Sequence, residues 1–537
     1  MAFYLNNNKM KRLYKGKLFL IATLSLLSTS CNDFGDLNTD PTKSANLDAS
    51  KQLTLVQIRF SGDLEVNEKL AGVMTMPIVQ QVGGIWLNRY GQMYIKSKPY
   101  LTSLWDFTYG NDVLNIIDAV ERTKGNPQQS NLNAVCRIMK VYEFARMTDL
   151  YGDIPYFQAG KAYTEGIVRP EYTPQEQIYD DFFKELSEAS AQLDASKDPV
   201  SGDLFYNGNI AAWKKFANSL HLRLAMRLVK VNPTKAKTEA EAAFNAGVFT
   251  SNGDICMLKH ENVQNDYSDY RGNGVSVAFN QSEVVPRVCN TFIQQLRDTN
   301  DPRLKYLVKY YLDMPYKPFE RTDVTEQVVA KIGYQGVAKG SYIWDDWMSG
   351  FDIEVPGKGT VTLTNNEQKA QLDNCMIRNN APFLHLTYAE VELLLADAAF
   401  RFGVNWGGDA ESHYKKGIAA AMSQLSLYPG GPVIPASEIN TFIQGNGFVP
   451  GRELQAINTQ LWIALLMNGP EAYANWRRSG FPALTPAHNP DSEETSIPRR
   501  FEYPLTEQEQ NAANYNKAVQ ALGGADSWLK NVWWDKQ

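Results

Sequence analysis

Tyr388-Ala389-Glu390-Val391-Glu392-Leu393-Leu394-Leu395-Ala396-Asp397-Ala398-Ala399 carries the densest helical pattern of the chain, leucine and alanine in steps of three and four with acidic residues between them. A turn follows at Gly407-Gly408, and then a second periodic stretch, Ala410 to Leu425, with Tyr414, Ile418, Ala421 and Met422 on one side. The pair predicts two helices of about fifteen residues folded back on each other. Three further helices are predicted on the N-terminal side. Asn131 to Leu150 carries Val135, Ile138, Met139, Tyr142, Phe144 and Ala145; Ile178, Phe182, Leu186, Ala189 and Leu193 make a stripe; Ile210 to Val231 runs through Trp213, Phe216, Leu220, Leu224 and Met226. Thr173-Pro174-Gln175-Glu176 reads as the start of the second of these, with Thr173 as cap, Pro174 at the first helical position and Glu176 reaching back.

The expected fold class is therefore mainly α, built of helical hairpins that resemble tetratricopeptide (TPR) units, with long irregular loops and little β. The loops are residues 250–285 and 313–382, rich in Gly, Asn, Asp, Thr and aromatics. Segments of that length are functional or disordered, and their aromatic content argues for function.

The first thirty residues read differently. Lys9, Lys11, Arg12, Lys15 and Lys17 precede an apolar run from Leu18 to Leu27, and Ser28, Thr29 and Ser30 lead to Cys31. A basic segment, a short apolar core and small residues at the cut describe a secretory signal, too short for a transmembrane anchor. Cys31 after that run resembles the acylated cysteine of a bacterial lipoprotein, although Ser28 stands where an aliphatic residue is preferred. Asp33 and Asp36 resemble the surface-export signal of Bacteroidetes lipoproteins. The expected organisation is a signal peptide over 1–30, a lipidated tether over 31–50 and a single helical domain over 51–537. Several acyl chains, at about 0.8 kcal/mol per buried CH₂, suffice for anchoring.

Charge and cysteine content exclude other classes. The chain carries a net −6, and loss of residues 1–30 leaves 48 basic against 59 acidic side chains, a net of −11. Such a balance disfavours nucleic acid, whose binders carry a basic field. Cys136, Cys256, Cys289 and Cys375 are scattered without a CxxC pair, which argues against a zinc or thioredoxin-like site; four buried thiols are expected, while four cysteines allow three disulfide pairings. No HExxH, nucleophile elbow or phosphate loop occurs, and Gly272-Asn273-Gly274 is too short to signify.

Thr148-Asp149-Leu150-Tyr151-Gly152-Asp153-Ile154-Pro155-Tyr156 ends the first of the three helices. Gly152 can take a positive φ at the helix end and Pro155 blocks resumption, so Tyr151 and Tyr156 should pack back on the helix. The segment resembles the DxYGxxPY signature of SusD/RagB-like lipoproteins. Seven other segments agree in the order of that family: Asn38 to Pro41, Trp213 to Leu220, Asp301 to Leu304, Leu384 to Ala399, Asn475 to Gly480, Pro498 to Pro504, and Trp533-Trp534-Asp535. They cover nearly the whole mature chain. The resemblance implies a TPR-like lipoprotein on the outer face of the outer membrane, partnered with a SusC-like TonB-dependent transporter. Such a protein captures oligosaccharides, or peptides in the RagB branch, and is not an enzyme.

Trp476, Arg477, Arg478, Arg499 and Arg500 read as buried cations, set beside carboxylates such as Glu471 or Glu502 and stacked on Trp476, rather than as an anion site. His221 and His385 read as satisfied core histidines. Ligand candidates are flat rings in loops with polar neighbours, because a sugar presents an apolar CH face and rim hydroxyls. Gly84-Ile85-Trp86-Leu87-Asn88-Arg89-Tyr90 offers Trp86 and Tyr90 as platforms and Asn88 and Arg89 as polar partners, unless Trp86 plugs the core. Tyr342-Ile343-Trp344-Asp345-Asp346-Trp347 offers a second platform, and Tyr267 and Tyr270 a third wall. No cofactor is implied; the carboxylates Asp345 and Asp346 would hold a structural calcium ion if further oxygen ligands converged. Two rival classes remain, a lipid-anchored glycoside hydrolase using Asp345 and Asp346, and a TPR adaptor whose helical face binds only protein.

Overall fold

Helix caps and apolar stripes divide the chain into thirteen helices of ten residues or more, seen in a computed structural model that describes residues 47–280, 285–312, 321–345 and 348–536. They are α1 (Ala49–Gly62), α2 (Lys98–Phe107), α3 (Leu114–Thr123), α4 (Ser130–Tyr151), α5 (Gln175–Gln192), α6 (Ile210–Arg227), α7 (Pro233–Ala246), α8 (Tyr388–Phe402), α9 (Ala410–Ser423), α10 (Ala436–Gly445), α11 (Glu453–Ala464), α12 (Gly469–Ser479) and α13 (Ala512–Ala521). The signal segment, Cys31, Asp33, Asp36 and the tether up to residue 46 lie outside the described residues, and α1 already opens at Ala49.

The hairpin of α8 and α9 sets the pattern. Thr387 Oγ1 accepts from Glu390 N at the start of α8, Gly403 ends it with a left-handed φ of 63°, and Asp409 caps α9 by accepting from Ser412 N. The helices approach closely because the facing residues are small: a Cβ on Gly417 would sit 2.6 Å from Leu393 Cγ. Consecutive packing continues through α3, α4, α5, α6 and α7, and α8 also packs on α6 and α11. The fold is mainly α, made of TPR-like helical hairpins. Six antiparallel two-stranded ladders are the β structure among the described residues; the longest, Phe351–Val355 with Gly359–Leu363, is a hairpin in the 313–382 segment.

The Thr148–Tyr156 stretch is the knot of this architecture. Gly152 closes α4 with φ 85° and ψ −124°, backbone reserved for glycine. Asp149 Oδ1 accepts from Tyr179 Oη and, at 2.9 Å, from Trp534 Nε1, while its carbonyl receives Arg477 Nη1 at 2.6 Å. Tyr151 Oη donates to Leu101 O at 2.6 Å, and Tyr156 Oη to Asp181 at 2.6 Å. The Thr173 cap is corrected: Thr173 pairs with Ile154 in a ladder, Pro174 holds the cap position, and Gln175 N donates to Asp153 Oδ1 at 2.8 Å. A residue 22 positions upstream thus does the capping. Gly152→Ala is expected to lower stability by about 1–3 kcal/mol through its backbone conformation, measured by chemical denaturation; its nearest side-chain neighbour is 3.7 Å from a new Cβ, so crowding adds little.

Arg477, Arg478 and Arg500 are buried and Arg499 is half-buried; the stacking on Trp476 is there, but the carboxylate partners are not the expected ones. Arg478 donates to Asp397 at 2.9 Å and to Asn475 at 2.9 Å. Arg477 lies between the rings of Tyr473 and Trp534, Arg499 stacks over Trp476 and pairs with Asp535, and Arg500 pairs with Asp526. Glu471 is taken instead by Arg227 and Arg223, and Glu502 by Lys98 at 2.8 Å. His221 pairs with Glu239 at 2.8 Å. His385 is only half satisfied: Nδ1 meets Tyr142 Oη at 3.2 Å, Nε2 makes no hydrogen bond, and burial pushes its pKa down. The four cysteines described are free and buried, and burial pushes the Cys136 and Cys289 thiols up to about 12.

A second ionic cluster ties α1 to α4. Arg59 pairs with Asp63 and Asp112, each at 2.7 Å, and Arg146 approaches Glu143 at 3.4 Å. Burial drives Glu143 up to about 8 despite Arg146 and Arg59, with Asp112 adding to the rise. Between pH 4.5, its ordinary value, and about 8 the folded state holds a proton that the unfolded chain releases. The stability this group supports is complete below pH 4.5 and is lost as pH rises towards about 8. Glu143→Gln, which cannot ionise, is expected to be the more stable protein at pH 8 and to flatten the decline of denaturation midpoint between pH 5 and 8.

Candidate functional site

Two loops far apart in sequence meet through a few polar staples. Gly84, with φ +94°, leaves its carbonyl to Ile343 N at 3.0 Å, and its missing side chain makes room for Ile343: a Cβ there would lie 2.8 Å from Ile343 Cγ2. Gln92 bridges the same loops, accepting from Gly84 N at 3.1 Å and donating to Ser341 O at 3.1 Å. Asn365 Nδ2 holds Ile343 O at 2.7 Å, and Asp345 Oδ2 accepts from Tyr342 N at 2.7 Å.

The result is a row of near-parallel rings. Trp86 and Tyr342 lie 6.0 Å apart between centroids at 15°, and Tyr342 and Trp344 4.7 Å apart at 9°. Trp86 is 56% exposed and Trp344 47%, whereas Tyr342, between them, is 9% exposed. Two neighbouring indoles left this open to water mark a contact surface. The Arg89 guanidinium lies 3.2 Å from the Trp86 ring and 4.7 Å from the Tyr90 ring, and Nη2 donates to Tyr90 Oη at 2.7 Å.

A phenol cluster continues the surface beyond Arg89. Tyr90 packs against Tyr100 at 4.6 Å; burial first, then Tyr90, Glu68 and Tyr267, push the Tyr100 hydroxyl up, with Arg89 opposing. Tyr267 is 67% exposed. On the other flank Asn489 Nδ2 donates to Gly340 O at 2.7 Å, which brings up a cavity of about 260 Å³ lined by His488, Asn489, Pro490, Ser492 and Glu494. Asp491 is near enough to act on the Tyr342 hydroxyl, which burial raises and Arg89 lowers.

The structure brings together Trp86, Arg89, Tyr90, Tyr342, Trp344 and Asp345, and leaves Tyr267 exposed. Asn88 is a correction: it is buried, accepts from Ile85 N and donates to Gly72 O at 2.8 Å, so its amide holds the loop and is closed off from solvent. Tyr270 is another: it is half-buried against Gly62 with Arg59 stacked 4.7 Å over its ring, covering the ionic cluster of α1. Trp347 and Asp346 lie outside the described residues. Asp345 has one oxygen committed to the turn. Among the described residues no group of three or more His, Cys, Asp or Glu is placed to hold a metal ion. Sequence reasoning missed Tyr100, Glu68 and the 487–495 segment; Tyr100 sits in an ordinary amphipathic helix and carries no loop signal.

A groove of about 970 Å³ between residues 296–305 and 437–446 is more capacious, but its lining has no exposed indole. An aromatic row is shallow, so cavity size is a poor guide to it.

Residues 44–504 match the family model SusD-like_2, described as starch-binding and associating with the outer membrane. Among solved structures, a chitin-binding protein is similar at 37% identity and a TM-score of 0.79, covering 91% of this chain and 100% of that one. A SusD-like protein of Bacteroidetes AC2a is similar at 32% identity and a TM-score of 0.85, with the same coverage. A chitin-binding SusD homologue from Flavobacterium johnsoniae shares the fold at 24% identity and a TM-score of 0.71, covering 91% and 99%. No curated protein matches the chain in sequence.

Proposed function

The chain belongs to the SusD-like family, whose members are outer-membrane-associated binding proteins, and on that premise we propose that it captures oligosaccharides at the cell surface without cleaving them. The observation that carries this is the row Trp86–Tyr342–Trp344 with both indoles open to water. Sugar rings pack their CH faces against the exposed parts of Trp86 and Trp344, and the hydroxyls of Tyr90 and Tyr100 meet the rims. The ligand class we assign is chitin-type, β-linked N-acetylglucosamine oligosaccharides. The relative at 37% identity named a chitin-binding protein supports it.

Around this site the remaining roles follow. Among the described residues no helix is long and apolar enough to cross a membrane, and acylated Cys31 supplies the anchor to outer-membrane lipid, leaving the aromatic row facing the exterior. The captured chain passes to a SusC-like TonB-dependent transporter, the TPR-like helices providing the rigid frame. Calorimetric titration of the protein with N-acetylglucosamine oligomers, α- and β-glucan pools and peptide pools tests the reading. Saturable binding of the first is expected. Silence toward every glycan with tight binding of peptides overturns it, and so does release of reducing ends by a clean preparation.

A further inference from the structure

Arg89 is an anomaly in this protein. The other arginines quoted above have a carboxylate or a backbone carbonyl as partner, in keeping with an acidic chain. Among the described residues Arg89 has no carboxylate partner; it is wedged between the Trp86 and Tyr90 rings and donates only from Nη2, to Tyr90. With those rings against it Nη1 is sealed from water and makes no hydrogen bond. Leaving a guanidinium donor buried and unpaired is costly, and the cost is removed when an acceptor arrives. Its neighbour Trp86 is an exposed side chain, free to turn aside for a group that lies on the row.

The surroundings select the kind of acceptor. Asp345, hydrogen-bonded to Tyr342 N at 2.7 Å, sets a carboxylate at the row itself in an already acidic chain, and this opposes a second anion such as a uronate or sulfate. A neutral acceptor with no proton of its own at the accepting atom fits: an amide carbonyl oxygen. A hydroxyl is the weaker match, since it also needs a partner for its proton.

Building on the glycan-binding reading above, we propose that Arg89 is the specificity-determining residue, reading the acetamido carbonyl of an N-acetylated sugar seated on Trp86, Tyr342 and Trp344. The aromatic row supplies affinity for any flat β-linked chain, and Arg89 supplies the preference for acetylated over unsubstituted ones.

The test compares the hexamers of N-acetylglucosamine, glucosamine and β-1,4-glucose by calorimetry on the wild-type protein, Arg89→Met, Arg89→Lys and Trp344→Ala. The wild type is expected to prefer the acetylated hexamer by tenfold or more over both others. Arg89→Met, which keeps the stem between the rings, is expected to lose tenfold or more on that hexamer and to stay within twofold on the glucose hexamer, which also shows that the variant is folded. Arg89→Lys, without the planar fork, is expected to lose the same preference, and Trp344→Ala to weaken all three ligands while keeping it. Equal weakening of both hexamers by Arg89→Met, full preference kept by Arg89→Lys, or a wild type that favours glucosamine overturns the proposal. A wild type that binds glycans without discrimination removes the role of Arg89 and leaves the glycan reading standing. A wild type that binds no glycan removes both.

Discussion

Trp344→Ala is expected to weaken oligosaccharide binding by about 30-fold while leaving the denaturation midpoint unchanged. The size follows from the loss of an aromatic anchor at the centre of an interface, about 2 kcal/mol, at tenfold per 1.4 kcal/mol. The missing effect on folding follows from exposure: Trp344 stacks on Tyr342 at the surface and is 47% exposed, and surface substitutions of that kind stay within about 0.5 kcal/mol. Trp86→Ala should show a loss of the same order, with an added change because it uncovers Arg89. The two losses are not expected to sum, since both indoles lean on the same tyrosine. Titration of the single and double variants beside thermal melts reads both quantities. Undiminished affinity in both single variants would move the site elsewhere, the groove at residues 296–305 and 437–446 being the next place to look.

Asp397→Ala should be the most damaging single change to stability, about 3–5 kcal/mol, because it strands Arg478 in the core without its counter-charge. Asp397 is fully buried on α8, accepts from Arg478 Nη1 and Asn458 Nδ2 at 2.9 Å each, and pairs with Arg401. Burial alone would raise its pKa; Arg478 and Arg401 more than offset it and hold it below 3.8. Its contribution is therefore present above that value and is lost as pH falls through the folded one. Replacing Asp397 and Arg478 together by apolar residues of similar size should recover most of the loss, which denaturant titration of the single and double variants would reveal. Equal stability of Asp397→Ala and wild type would mean that α8, α11 and α12 are held by apolar packing alone.

Both predictions concern features that the sequence announced unequally. The helices were legible because their periodicity is local: α4, α5, α6 and the α8–α9 hairpin lie within a few residues of where their apolar stripes place them. Burial of the arginines was legible from their company of aromatic residues, but their partners were not. Arg478 sits 81 residues from Asp397, and Glu471, the nearer carboxylate, turns to Arg223 and Arg227. The Thr173 cap failed for the same reason, a ladder with Ile154 claiming the residue and Asp153 arriving through space to replace it.

What the sequence by itself determined is a helical-hairpin protein of net negative charge with two aromatic loops rich enough to hold a ligand. Only the tertiary structure decided which of those rings face water. Exposure is a property of the closed chain: Gln92, Gly84 and Asn365 join residues 84–92 to 341–345, and that closure leaves Trp86 and Trp344 outside, turns Asn88 inward and lays Tyr270 over Arg59. A side chain's chemistry is written in its own codon, but the neighbours that cover it or leave it bare come from hundreds of residues away.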